Sequence, residues 1–311
     1  MTTSPSETAF TAEDERLLKG YLGERRHLVD AALERFLPAP AQWPKTLHSA
    51  MTWSLNGGGK RIRPVLALAA FEAVGAHRDW PFDAVLPAAC AVEMIHTYSL
   101  IHDDLPAMDD DDERRGRPAN HIQFGEGAAI LAGDALLTEA FRVALDAEGY
   151  AGTADHALLT QVGVRLAHAA GWVGMVGGQA LDLGMEEPVQ TEAELAFLHR
   201  RKTGELFRFS TWAGAWLGRA DPAAVTALGD YGETLGLAFQ VVDDVLDALE
   251  DQTERAEDAA ETPSFPALIG IDASRARAQE LMERALDLLA PFGSEADPLR
   301  RLAWFTVHRD H

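Results

Sequence analysis

The chain has one cysteine, Cys90, in 311 residues, so no intrachain disulfide can form and nothing points to an oxidising compartment. It has no run of about 18 uninterrupted apolar residues, so no transmembrane helix is expected. The opening Met1-Thr2-Thr3-Ser4-Pro5-Ser6 lacks both the basic and the apolar part of a signal peptide. Positive charge is scarce. The chain carries 27 Lys and Arg against 49 Asp and Glu, a formal net charge of -22, which argues against nucleic acid as a partner. No alternating Val/Ile/Thr-rich stretch bounded by turns stands out, which argues against strands. These absences lead to the expectation of a cytoplasmic protein with no membrane attachment.

Helical patterning fills the space. Apolar residues recur at three- and four-residue spacing in nearly every long segment. This predicts helices over 12–36, 45–55, 62–76, 83–103, 126–148, 153–172, 192–217 and 222–249, with shorter ones within 263–308. Thr11 with Asp14 and Thr191 with Glu194 read as capping boxes. The acidic stretch from Glu250 to Glu261 reads as a mobile loop. The expected organisation is a disordered tail over 1–10 and a single all-α domain over 11–311. That domain is a helical bundle with its active site in a central cavity between facing helices.

Two aspartate runs end apolar helical patterns. The first is His102-Asp103-Asp104-Leu105-Pro106-Ala107-Met108-Asp109-Asp110-Asp111-Asp112, and the second Val242-Asp243-Asp244-Val245-Leu246-Asp247. Carboxylates crowded this densely repel one another, so a cation belongs between them. Oxygen-only ligands favour hard cations, and Mg²⁺ is held by one or two carboxylates plus substrate phosphates. The reading is an enzyme that handles phosphorylated substrates through magnesium. A solvated acidic loop is the ordinary alternative for such a run. It weakens here because the first run follows an apolar helix and ends in Arg114 and Arg115.

Spacing adds further candidates. His96 and Asp103 share a helix face, and Pro106 bends the chain so that Asp109 swings back toward Asp103. Gln240, Asp243 and Asp247 share another face, where like charges at i,i+4 call for a cation. Gly57-Gly58-Gly59-Lys60-Arg61-Ile62-Arg63 offers close backbone approach followed by three cations suited to phosphate, with a flexible turn and a solvated basic run as the ordinary alternative. It is not a Walker A loop, because Ser54 stands at the first glycine position and Arg61 follows the lysine. Lys202-Thr203-Gly204 interrupts a strong helical pattern, which either a local kink presenting Lys202 or a packing glycine explains. Gly177 and Gly178 precede Gln179 and Asp182, and suit close helix packing.

Taken together, these motifs resemble the trans-isoprenyl diphosphate synthase family, on its bacterial short-chain farnesyl branch. The stretch Met94-Ile95-His96-Thr97-Tyr98-Ser99-Leu100-Ile101-His102-Asp103-Asp104 carries most of the likeness, which runs from about Ser49 to the C-terminus. The resemblance implies three Mg²⁺ ions, with Asp103, Asp104 and Asp109 at two of them and Asp243 at the third. It implies that Arg114, Lys202, Thr203 and Gln240 contact an allylic diphosphate, and that Lys60, Arg63, His96 and Arg115 hold isopentenyl diphosphate. It places Tyr98 and Ser99 at the floor of the tail pocket, where a bulky ring favours a fifteen-carbon product over ten or twenty carbons. A homodimer is usual for the family. One departure stands out. The family's two lysines after the second aspartate run are missing, Thr262 stands where the second would be, and Arg255 is the only cation of the loop. The expected consequence is weaker hold on the allylic substrate, or a nonstandard substrate or product. Two other classes fit parts of the pattern. A class I terpene cyclase would not need the second cationic group, and a noncatalytic partner subunit would be expected to have degraded aspartate runs.

Overall fold

The computed structural model describes residues 10–38, 43–251 and 263–309. Fourteen α-helices follow one another: α1 (Ala12–Phe36), α2 (Lys45–Leu55), α3 (Ile62–Ala73), α4 (Leu86–Asp103), α5 (Asn120–Phe124), α6 (Glu126–Leu145), α7 (His156–Ala170), α8 (Met175–Asp182), α9 (Glu192–His199), α10 (Glu205–Leu217), α11 (Pro222–Asp251), α12 (Phe265–Ile269), α13 (Ile271–Leu288) and α14 (Asp297–His308). The fold is all-α, as the periodicity predicts. A two-stranded antiparallel ribbon, β1 (Glu113–Arg114) and β2 (Arg117–Pro118), departs from that reading. It is a short turn closed by Gly116 in a left-handed conformation (φ +72°).

Both capping boxes form: the Thr11 and Thr191 side chains accept from the backbone N–H of Asp14 and Glu194. A cap the sequence reading did not use, Asp155, accepts from Leu158 N at 2.9 Å and opens α7. The expected helices over 62–76 and 126–148 end earlier, at Ala73 and Leu145. The interrupted pattern over 192–217 resolves into α9 and α10 joined by one π-helical turn, Arg200–Gly204. Helix α8 was not expected. Phe10, placed in the disordered tail on sequence grounds, instead stacks on Trp304 (centroids 4.1 Å apart). The rest of that tail and most of the acidic loop, with Arg255 and Thr262, lie outside the described residues.

Helix α4 is the hub. It is buried nearly all round from Leu86 to Ile101, as expected of a helix that is apolar on every face. The core cluster containing it draws on α1, α2, α3, α6, α7 and α10. A second cluster joins α3 and α10 to α11, α13 and α14, and a third packs α9, α12 and α13 on α11. Two long helices, α4 and α11, therefore present aspartates at their C-terminal halves into the space between these clusters. Among the described residues no helix is long and apolar enough to cross a membrane.

Inside this core sits one ionic knot. Arg61 is 4 % and Glu93 2 % exposed. The guanidinium donates to Glu93 (2.8 Å), to Asp30 (2.9 Å) and to the carbonyl of Leu55 (2.6 Å). The knot ties the turn after α2 to α1 and α4. Removing one partner of such a pair strands a buried charge, which costs about 3–5 kcal/mol. Glu93→Ala is therefore expected to lower the unfolding free energy by about 3 kcal/mol in denaturant titration, the lower end because Asp30 remains.

Candidate active site

The central cavity has a volume of about 810 Å³ and lies between α4, α8, the π-helical turn and α11. Its polar end is lined by Asp103 from α4, Lys202 and Thr203 from the π-helical turn, and Gln240 and Asp243 from α11. Its other end is apolar, with Tyr98, Met175, Val176, Leu183 and Met185. A second cavity of about 630 Å³ is lined by Gly57, Gly58, Gly59, Lys60 and Arg61. Arg63, His96, Arg115 and Phe239 line both, so the two spaces meet at a cationic wall.

Within each Asp-Asp pair the two residues do different work, because neighbours on a helix point about 100° apart. Asp103 and Asp243 line the central cavity. Asp104 is 2 % exposed and accepts from Arg114 at 2.9 and 2.5 Å. Asp244 accepts the Phe265 backbone N–H at 2.9 Å and pins α12 to α11. The resemblance expects Asp104 among the metal ligands; here its carboxylate pairs with Arg114 and is not part of the lining of the central cavity. Arg114 does line it, but its guanidinium is shared between Asp104 and Asp111 (2.9 Å). Asp109 is exposed at the rim, and its backbone N–H bonds to the Asp103 carbonyl at 2.8 Å. The bend at Pro106 does bring it back beside Asp103.

The cations divide in the same way. Arg61 belongs to the core knot, so of the three cations after the glycine run only Lys60 and Arg63 are free of it. Arg115 donates to the Gly58 carbonyl at 2.5 Å and braces the glycine turn. Arg63 makes a cation–π contact with Phe207 (5.1 Å), and its Nε is buried without a partner among the described residues. Desolvation at the cavity wall lowers its pKa to about 10. That orphaned donor suits an anion. His96 is held well below the usual imidazole range by desolvation first and then by Arg63 and Arg115. It stands neutral at pH 7, as a hydrogen-bonding wall group.

Lys202 donates to Asp182 on α8 at 2.5 Å. The contact depends on Gly178, since a Cβ there would stand 2.2 Å from the Lys202 backbone nitrogen. The Thr203 hydroxyl donates to Gln240 Oε1 at 2.9 Å. Gln179 lines the cavity with a buried, unpartnered Nε2. Arg309 was missed on sequence. It pairs with Asp243, donates to the Phe239 carbonyl and lies over the Phe239 ring (4.1 Å). A lone arginine at the end of the chain carries no local signal of such a long-range contact.

Among the described residues no group of three or more His, Cys, Asp or Glu side chains forms a closed metal site. The donor set fits Mg²⁺ nonetheless, because that ion keeps several waters and takes one or two carboxylates with substrate phosphates rather than an all-protein cage. The cost of the arrangement is visible in the carboxylates. Burial raises Asp103 to about 6, with Asp109 and Asp104 adding to it against Lys202. Burial also raises Asp243, against the pull of Arg309.

The cavity pairs a polyanion-binding end with an apolar end, which defines a site for an amphipathic diphosphate or a similar molecule. The chain belongs to the polyprenyl synthetase family, whose model matches residues 44–288, and it is a prenyltransferase. It is 41% identical to a farnesyl diphosphate synthase of Geobacillus stearothermophilus over 94% of this chain and 97% of that protein. It is 40% identical to a geranylgeranyl diphosphate synthase of Cyanophora paradoxa over 94% and 96%. The crystal structure of an FPP/GFPP synthase from Zymomonas mobilis superposes with a TM-score of 0.83 at 37% identity, covering 93% of this chain and 98% of that one.

The raised Asp103 gives a prediction with a definite sign. Its proton is held more tightly in the fold than in the unfolded chain, so without a cation stability falls as pH rises from 3.8 to about 6. Denaturant titrations in chelator should show Asp103→Asn more stable than the parent above that interval and closer to it below. Gly178→Ala, whose methyl would meet the Lys202 backbone, is expected to lower kcat/KM at least about tenfold by pushing α8 away from Lys202 and to lower the unfolding free energy as well.

Proposed function

We propose that this chain catalyses Mg²⁺-dependent head-to-tail (1′-4) condensation of isopentenyl diphosphate with dimethylallyl or geranyl diphosphate, giving farnesyl diphosphate and releasing diphosphate. The observation that carries the reading is the junction of two cavities at Arg63, His96 and Arg115. One is acidic at one end and apolar at the other; the second is cationic. A cyclase acting on one diphosphate leaves the second cavity without a role. Both aspartate runs are intact, which a noncatalytic subunit would not require.

The allylic diphosphate sits at the polar end of the central cavity. Asp103, Asp109 and Asp243 would hold Mg²⁺, three ions by the family resemblance, and the chemistry those ions supply when bound is neutralisation of the diphosphate as it departs. Lys202, held on the π-helical turn by Asp182, and the Thr203–Gln240 pair add fixed positive charge and polar contacts at the same end. Arg114, anchored by Asp104, stands at the rim. Lys60, Arg63 and Arg115 hold the second diphosphate, and neutral His96 orients it without removing charge from the wall. This places the alkene of isopentenyl diphosphate beside the allylic carbon. The C–O bond of the allylic substrate breaks, the alkene attacks the resulting cation, and the proton lost afterwards goes to the departing diphosphate. The apolar walls keep water from the cation.

Tyr98, 6 % exposed, stands on the apolar side of Asp103 with Ser99 beside it. A helical turn of about 5.4 Å is close to one isoprene unit, so a single ring decides between products. This supports farnesyl diphosphate, although related chains carry both farnesyl and geranylgeranyl names. Ile122, Ile130 and Leu131 are exposed on α5 and α6, which supports a homodimer.

Mass spectrometry of products from five-, ten- and fifteen-carbon allylic diphosphates tests the reading. The expected result is one fifteen-carbon product, no use of the fifteen-carbon starter, and loss of all turnover in chelator. Tyr98→Ala is expected to extend the product by at least one isoprene unit. No condensation from any starter by the folded protein would sink the proposal.

A further inference from the structure

We infer that His102 and Gly133 set the depth of the apolar cavity by fixing the Tyr98 ring, and so act as positioning residues for product length. The inference rests on the reading in which Tyr98 is the floor. Tyr98 and His102 lie one turn apart on α4, and both line the cavity. Their rings meet edge to face, 5.7 Å between centroids at 76°, the arrangement that aromatic quadrupoles favour. His102 is held from its other side: Nε2–H donates to the Ile130 carbonyl on α6 at 3.1 Å.

The room for that ring exists only because residue 133 is glycine. A Cβ there would stand 2.1 Å from His102 Nε2 and 2.5 Å from Cδ2. Any side chain on Gly133 therefore moves the imidazole off the Ile130 carbonyl and withdraws the support behind Tyr98. A small residue on α6, which does not itself line the cavity, thereby controls a ring on α4 that does. Product length is set by three residues on two helices rather than by Tyr98 alone.

Product chain length and turnover would be measured for Gly133→Ala, His102→Ala, Tyr98→Ala, the His102→Ala/Tyr98→Ala double variant and Gly163→Ala. Gly133→Ala and His102→Ala are expected to raise the share of the next-longer product about fivefold over the parent, the worth of one edge-to-face contact. The double variant should lengthen products no further than Tyr98→Ala. Gly163→Ala, whose methyl would press on Leu145 (2.8 Å) away from the cavity, should keep the parent's distribution. Parent-like products from both Gly133→Ala and His102→Ala, with longer ones from Tyr98→Ala, would overturn the inference while the floor reading stands. Parent-like products from Tyr98→Ala would remove the floor reading and this inference with it. Longer products from Gly163→Ala would assign the effect to general loosening and overturn the inference as well. Should Gly133→Ala fail to fold, His102→Ala reads the same contact.

Discussion

A chain with a net charge of -22 that binds polyanions must keep a few cations in fixed places. Most cations around the two cavities are tied down. Arg114 is held by Asp104 and Asp111, Lys202 by Asp182, Arg115 by the Gly58 carbonyl and Arg309 by Asp243. Each tie fixes a long side chain in advance, so less conformational entropy is lost when a ligand arrives. Among the described residues Lys60 and Arg63 are the exceptions, and Arg63 keeps a buried donor unpaired. It marks the junction of the cavities, where an incoming anion gains most from a desolvated, unquenched charge.

The same constraint explains why the aspartates come in pairs. One member of each pair, Asp103 or Asp243, faces the cavity; burial raises the pKa of both, and of Asp104 against the pull of Arg114. The other builds the scaffold: Asp104 anchors Arg114 and Asp244 anchors the start of α12. Each doubled aspartate is therefore a cavity-facing carboxylate joined to a supporting one.

Helix identity and the motifs were legible in the sequence because they are local. Capping boxes at Thr11 and Thr191, the apolar α4 and the break at Lys202-Thr203-Gly204 all act within a few residues. What the sequence hid is carried by tertiary partners. Asp104 reads like Asp103 until its arginine is seen. Arg61 reads as a phosphate ligand until Glu93 and Asp30 close around it. Arg309 reaches Asp243 across 66 positions, and Asp182 reaches Lys202 across 20, distances over which no periodicity speaks. Helix α8 carries two glycines in eight residues, which weaken its local signal, and Gly178 lets it lie against the π-helical turn.

If the two cavities hold two different diphosphates, isopentenyl diphosphate binds without Mg²⁺ and without allylic substrate. Calorimetric titration should then show saturable binding that survives Asp103→Asn and is lost in Arg63→Ala. Binding lost in Asp103→Asn but retained in Arg63→Ala would contradict the account, because the second cavity would then have no independent ligand.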